Sequence, residues 1–202
     1  MATSNVQIAN FALTMIDANS ISSLTEETEE ARKVNAVFEM TRDELLEEFP
    51  WPFAIKRASL ALLATAPTYQ YSYAYQIPTD CLRYLDRKYP QWSHRIEEDG
   101  TFLTDSSTPN IRYIKKVTDP VVFSAGFASA LASRLALALA YSIIGKQTYI
   151  ERLEVISTRI VLKAKTVQSQ SSGTPRGIDD NTWLASRSGG DPSWPRTTID
   201  NS

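Results

Sequence analysis

Two side chains in this sequence could form a nucleophile and its base, Cys81 and His94. Each is the only residue of its type in the 202-residue chain. A thiol nucleophile needs a base within hydrogen-bond reach and an electropositive setting that favours the thiolate. Arg83 is the only cation close to Cys81 in sequence, and no glycine-rich turn adjoins it to form an oxyanion hole. With one Cys and one His, a metal site built from soft ligands is not expected within one chain. The other dense run of chemistry-capable groups is Glu26, Glu27, Glu29 and Glu30 in EETEE. Four carboxylates at a helix start are more simply partners of the helix dipole on a solvated face. The sequence holds neither a GxxxxGK[ST] loop nor a GxGxxG turn, so no phosphate-bearing cofactor is expected, and no cofactor of any other kind.

The most unusual stretch is YQYSYAYQIPTDCLR, residues 69–83. Tyr69, Tyr71, Tyr73 and Tyr75 alternate, which puts one aromatic face on a predicted strand. That face is either the core of a small sheet or a subunit interface, where tyrosine offers large area with a polar tip. A region this small is not expected to bury all four, so some should pack between subunits.

The elements that position these residues follow from periodicity. Val6, Ala9, Leu13 and Ile16 form the apolar stripe of a first helix near residues 4–18. Ser23 or Thr25 is the expected cap of a second helix, with Ala31, Val34, Phe38, Leu45 and Phe49 on its stripe. Pro50 and Pro52 stop it. AIKRASLALL suits helix or strand equally. Beyond it come short runs separated by Pro, Asp-Gly and Ser-Ser-Thr-Pro signals, an antiparallel pattern with a hairpin turn at residues 98–101. Thr118-Asp119-Pro120 is the expected start of a third helix and Gly145 its C-terminal cap. A fourth helix is expected over 147–168, with Tyr149, Leu153, Ile156, Ile160 and Val167 as its stripe.

The third helix, rich in alanine, is long enough to cross a membrane, but Arg134 lies near its centre, and a central arginine costs about 2.5–3.5 kcal/mol in a bilayer. A buried, close-packed helix is expected instead. Ala128, Ala132, Ala136 and Ala140 share one face, which lets another helix approach closely, within the chain or from a neighbouring subunit. The N-terminal segment lacks the basic start of a signal peptide. The net charge of −2 carries no basic excess that would advertise a nucleic-acid binder.

From Ser169 the composition shifts. This tail holds Gly173, Gly177, Gly189 and Gly190 with Pro175, Pro192 and Pro195, yet also Trp183 and Trp194. Such a segment cannot be one regular element, and exposed tryptophan is unfavourable. It is expected to dock, on its own subunit or on a partner. The fold class expected is therefore α+β: mainly a four-helix bundle, with an inserted small antiparallel β region and an extended C-terminal arm. The bundle takes residues 1–52 and 118–168, the β region 53–117 and the arm 169–202.

The order of these segments resembles the head-to-tail adaptors of short-tailed bacteriophages, the tail tubular protein A family. The resemblance runs over nearly the whole chain: FPWPFAIKRASLA, then YAYQIPTDCLRYL, IRYIKKVTDP, the LASRLALALAYSI helix and a tail containing WLASR. Its most specific part is the Tyr-x-hydrophobic-Pro-x-Asp-Cys-Leu-Arg run soon after Pro-Trp-Pro-Phe-Ala; Ile77 stands where leucine is common in the family. The resemblance implies a non-enzymatic virion component at the head–tail junction, assembled in the host cytoplasm. It implies a dodecameric ring of copies, with the portal protein on one side, the tail nozzle protein on the other, and DNA passing through the lumen without sequence-specific binding. No membrane is implied. Trp183, Leu184 and Arg187 match the arm's portal-binding segment, and Trp194 offers a further anchor. Pro78, Asp80, Cys81 and Arg83 match a structural turn. The alternative, of a different class, is a cysteine-dependent hydrolase or DNA-handling enzyme using Cys81 and His94.

Overall fold

The computed structural model describes residues 4–85, 94–97, 99–145 and 147–171. Trp183, Leu184, Arg187 and Trp194 lie outside the described residues. The fold is α+β, with helices α1 (Asn5–Met15), α2 (Glu29–Glu48), α3 (Ala125–Ile143) and α4 (Gln147–Ser171). Between α2 and α3 run β1 (Ile55–Ser59), β2 (Ala61–Leu62), β3 (Tyr73–Gln76), β4 (Cys81–Tyr84), β5 (His94–Ile96), β6 (Thr101–Thr104) and β7 (Asn110–Lys115).

Local chemistry accounts for where these elements begin. Ser4 and Gln7 close a reciprocal capping box on α1, each side chain bonded to the other's backbone N–H. For α2 the cap is Thr28, not Ser23 or Thr25: its hydroxyl accepts from the Ala31 N–H at 3.3 Å. Glu26 is diverted to a local turn. Its carboxylate accepts from the Ser22 hydroxyl and N–H, the Ser23 N–H and the Thr28 hydroxyl. Those bonds, the Ser22 hydroxyl's foremost, lower its pKa to about 2. Only Glu29 and Glu30 of the acidic run then occupy the first turn of the helix. The expected start at Asp119-Pro120 is likewise only a single 3-10 turn, Pro120–Val122, and α3 begins after its own cap, Ser124. Gly145 ends α3 as expected, at φ +65° with its N–H bonded to the Ala140 carbonyl.

The helices meet through α3, which packs closely against α1, α2 and α4. Ala132, Ala136 and Ala140 are fully buried and Ala128 is half-buried against the same core, so the alanine face packs within the chain. Gly126 faces α4, and an added Cβ there would sit 3.4 Å from the Ala164 Cβ. Ser133 and Ser157 meet across the same seam at 3.3 Å, and Ser133 also donates to the Ala130 carbonyl. Small side chains thus bring the two backbones together without an unpaired hydroxyl. Helix α3 is the described helix long and apolar enough to cross a membrane. Its buried face is covered by the other helices, and Arg134 pairs with Glu48 at 3.3 Å.

The strands form two antiparallel sheets, β1-β7-β4 and β2-β3-β6-β5. AIKRASLALL resolves as β1 and β2 with a break at Leu60, whose N–H donates to the Pro109 carbonyl. Strand β7 joins two cores by its alternation: Ile114 belongs to the helical core with Val117, while Ile111 and Tyr113 join Leu60, Tyr75 and Phe102 in a second cluster. The first sheet therefore shares its core with the helices. Trp51 plugs the entrance to the β region, fully buried between Phe49, Phe53 and Phe127, its indole N–H donating to the Leu45 carbonyl at 2.8 Å.

Helix α4 differs from expectation in its orientation. Ile150, Leu153, Ser157, Val161 and Ala164 are buried, whereas Tyr149, Ile156 and Val167 of the expected stripe are exposed. The true core face includes a serine and an alanine, which hydrophobicity does not rank. The helix also runs to Ser171, past the expected end at Gln168.

Candidate functional site

The PTDCLR segment forms a corner between the two sheets. The Cys81 N–H closes a turn on the Pro78 carbonyl at 2.9 Å and the Lys116 N–H reaches the Asp80 carbonyl at 2.7 Å. At the centre is the Asp80 carboxylate. One oxygen accepts from the Tyr113 hydroxyl at 2.8 Å, the other from Lys56 Nζ at 3.0 Å. Lys56 also lies over the Tyr113 ring, 5.9 Å from its centroid. Asp80 thus ties the turn to both β1 and β7. Partial burial, the largest single influence on Asp80, pushes its pKa up; the bonds from Lys56 and Tyr113 and the lysine's charge together outweigh this and hold it below the ordinary 3.8. Lys56 is shifted the other way, above 10.5, chiefly by its bond to Asp80.

These shifts imply a pH signature. A depressed carboxyl stabilises the fold above its unfolded pKa, and the contribution is lost as pH falls through the folded value. A raised lysine stabilises below its unfolded pKa, and that contribution is lost as pH rises through the folded value. Asp80→Asn should therefore lower the melting temperature at neutral pH. The gap to wild type should close as pH falls below about 4, and also close above about 10.5. A gap that stays constant across the acid range would mean that the Asp80 charge contributes nothing.

Cys81 sits beside this clamp, half-buried against the second cluster. Burial pushes its thiol pKa up, and the neighbouring Asp80 carboxylate adds to the effect. That is opposite to the shift an activated nucleophile needs. His94 lies on β5 in the other sheet, its ring stacked on Phe102 at 5.3 Å and edge-on to Tyr84 at 5.2 Å. Arg83, on β4, has its Nε buried with no hydrogen-bond partner among the described residues. No group of three or more potential metal ligands occurs among the described residues.

The tyrosine ribbon divides in two. Only residues from Tyr73 onward are strand, and Gln70 takes a left-handed backbone at φ +74°, which breaks the alternation between Tyr69 and Tyr71. Tyr75 is buried within its own chain, with its hydroxyl donating to the Ser106 carbonyl at 3.0 Å, and Tyr73 is half-buried against it. Tyr75 thus fills the second core and does not face a neighbouring subunit. Tyr69 is 76% exposed and Tyr71 half-exposed. Both line an open cleft of about 340 Å³ with Gln70, Arg95, Glu97 and Asp99.

No protein-family model matches the chain, and none of the curated proteins matches it.

Sequence reasoning did not find the Asp80–Lys56–Tyr113 clamp, since its members lie far apart in the chain, on β1, on the turn before β4 and on β7. The exposed outer face of α4 was missed as well. A count of apolar residues on each helical face was the available signal, because α4 carries more of them than one face can bury.

Proposed function

We propose that this chain is a structural virion protein, a ring-forming head-to-tail adaptor that links the portal to the tail nozzle and lines the DNA exit channel. The specific content of the proposal comes from the resemblance of its segments to the tail tubular protein A family. The observation that carries it furthest is the PTDCLR corner. Its aspartate is bonded to a lysine and a tyrosine on two neighbouring strands, so the most family-like residues hold strands together. The finer architecture belongs to the same proposal: α1, α2 and α4 gathered on α3 act as a four-helix bundle. The β region carries Tyr69 and Tyr71 outward to a neighbouring subunit. The segment from residue 172 reaches the portal through Trp183, Leu184, Arg187 and Trp194.

The protein is not an enzyme on this reading, and the raised thiol of Cys81 supports that side of the choice. The test is assembly. Purified chain mixed with portal protein should give rings stacked on the portal by electron microscopy. Cys81→Ser should assemble at the wild-type level. Loss of assembly by a normally folded Cys81→Ser protein would favour the thiol-dependent alternative, and absence of any stacked particle with wild-type chain would overturn the adaptor.

A further inference from the structure

The face of α4 opposite its core carries an ordered set of residues. Arg152, Val155, Ile156, Arg159, Leu162 and Lys163 fall within an arc of about 120° at 100° per residue. All six are exposed, Val155 at 50%, Ile156 at 46% and Leu162 at 57%. The acidic residues of the helix, Glu151 and Glu154, lie outside that arc. The result is a stripe of aliphatic and cationic side chains about 16 Å long over these twelve residues. Aliphatic groups at three- and four-residue spacing on a solvent face are unusual unless another surface covers them.

A complementary face exists on the same chain. From Glu39 onward the outward arc of α2 presents Glu39, Met40, Glu44 and Glu47, with Met40 61% exposed. The only cation in that half of the helix, Arg42, is buried. Glu39 approaches Lys116 at 3.9 Å. Among the described residues, the ion pairs within the chain engage none of Glu44, Glu47, Arg152, Arg159 and Lys163. Among the described residues, α2 thus offers Glu44 and Glu47 without an ion pair beside Met40, and α4 offers Arg152, Arg159 and Lys163 without one among aliphatics.

We infer that the outer face of α4 docks on the outer face of α2 of a second copy of this chain. The partner is a second copy because the matching charges and apolar groups are present in the chain itself. The two faces differ, so the contact is heterologous: a series of copies keeps one α2 face open at one end and one α4 face at the other, and it grows until these two meet. A single helix pair of this length covers less than the roughly 800 Å² per partner of a standard stable interface. Each contact is therefore weak alone and salt-dependent, and closure of the series adds to it. The inference deepens the ring proposed above and rests on it for closure, while the pairing of faces can fail separately.

Charge reversal tests the pairing. The variants are Arg159→Glu with Lys163→Glu on α4, and Glu44→Lys with Glu47→Lys on α2. All four positions are exposed, so circular dichroism melts should match wild type. Sedimentation should then report concentration-dependent association for wild type, weakened by added salt. Each double variant alone should associate about tenfold or more weakly, since like charges now oppose. Mixed one to one, the two variants should associate again, because each reversed face finds its complement on the other. Wild-type chain that stays monomeric at all accessible concentrations overturns the inference. So does wild-type association that neither reversal changes; that outcome leaves the ring itself standing, built from other surfaces. If the basic stripe instead serves nucleic acid, wild type shifts a DNA duplex, the α4 reversal abolishes that shift and the mixture regains no association; this also overturns the inference. A chain that associates as described but builds no stacked particle with portal keeps the pairing and removes the adaptor.

Discussion

Leu153→Asp should leave no folded protein, while Ile156→Asp should melt within a few degrees of wild type. The two positions are three residues apart on α4, and both belong to the apolar stripe expected from sequence. The structure separates them: Leu153 is 4% exposed and part of the helical core, whereas Ile156 is 46% exposed. An aspartate at 153 must be buried without a partner or force the helix away, at a cost of several kcal/mol. A domain is stable by only about 5–15 kcal/mol, and the helix cannot slide to relieve the charge. Its seam with α3 is close, with Gly126 facing Ala164 and Ser133 meeting Ser157 at 3.3 Å. At 156 the aspartate meets water, and the change should stay within about 1 kcal/mol, including the lower helix propensity of aspartate. Urea unfolding at low protein concentration reads both. Equal destabilisation by the two variants would mean that α4 is rotated from the orientation described. Phe38→Asp, 3% exposed on α2 before mutation, should behave like Leu153→Asp.

Deletion from residue 172 onward should abolish portal binding and leave the fold intact. The first half of this expectation follows from the proposed function, the second from the structure. The core is built by side chains from α1 to α4 and from Trp51, Ala54, Ile114, Val117 and Phe123, all before the deletion. The shortened chain should therefore keep its helical circular dichroism and its melting temperature. The deleted segment carries Trp183, Leu184 and Trp194. Buried aromatic anchors commonly contribute about 2 kcal/mol or more each to an interface, so losing two should weaken binding by roughly a thousandfold or more. Arg187 adds a guanidinium suited to a carboxylate on the partner. Sedimentation with portal protein reads the result. Unfolding of the shortened chain would make the segment a strap on its own subunit. Full-affinity binding would move the portal contact elsewhere, with the exposed Tyr69 and Tyr71 as the next candidates.

The two experiments are independent, because one reads the packing of the folded unit and the other reads a segment that supplies none of its described core. A folded but non-binding shortened chain, together with an unfolded Leu153→Asp protein, would leave the fold and the adaptor reading mutually consistent.

By itself the sequence determined the local features of this protein. The helix stripes of α1 and α2, the stop at Pro50-Trp51-Pro52, the turn at Asp99-Gly100 and the cap at Gly145 all follow from spacing and backbone preference over a few residues. Gly100 at φ +77° and Gly145 at φ +65° are where such preferences act most directly. The α+β class followed as well, since a change of period from 3.6 to 2 and back is visible in the chain. Several caps misled because rival donors and acceptors stood within a few residues: Glu26 took the Ser22–Ser23 turn, and Asp119 spent its carboxylate on a 3-10 turn. What only the tertiary structure decided depends on residues far apart in the chain. Lys56, Asp80 and Tyr113 become a clamp only once β1 and β7 pair and the corner folds onto them. Tyr75 becomes core because β3 pairs with β6 and sets it among Leu60, Phe102 and Tyr113, while Tyr69 lies before the strand and stays at the surface. Helix α4 turns Ser157 and Ala164 inward and Ile156 outward because close approach to α3 demands small side chains at the seam. Hydrophobicity ranks residues by transfer from water, but backbone approach ranks them by volume, and along α4 volume prevailed.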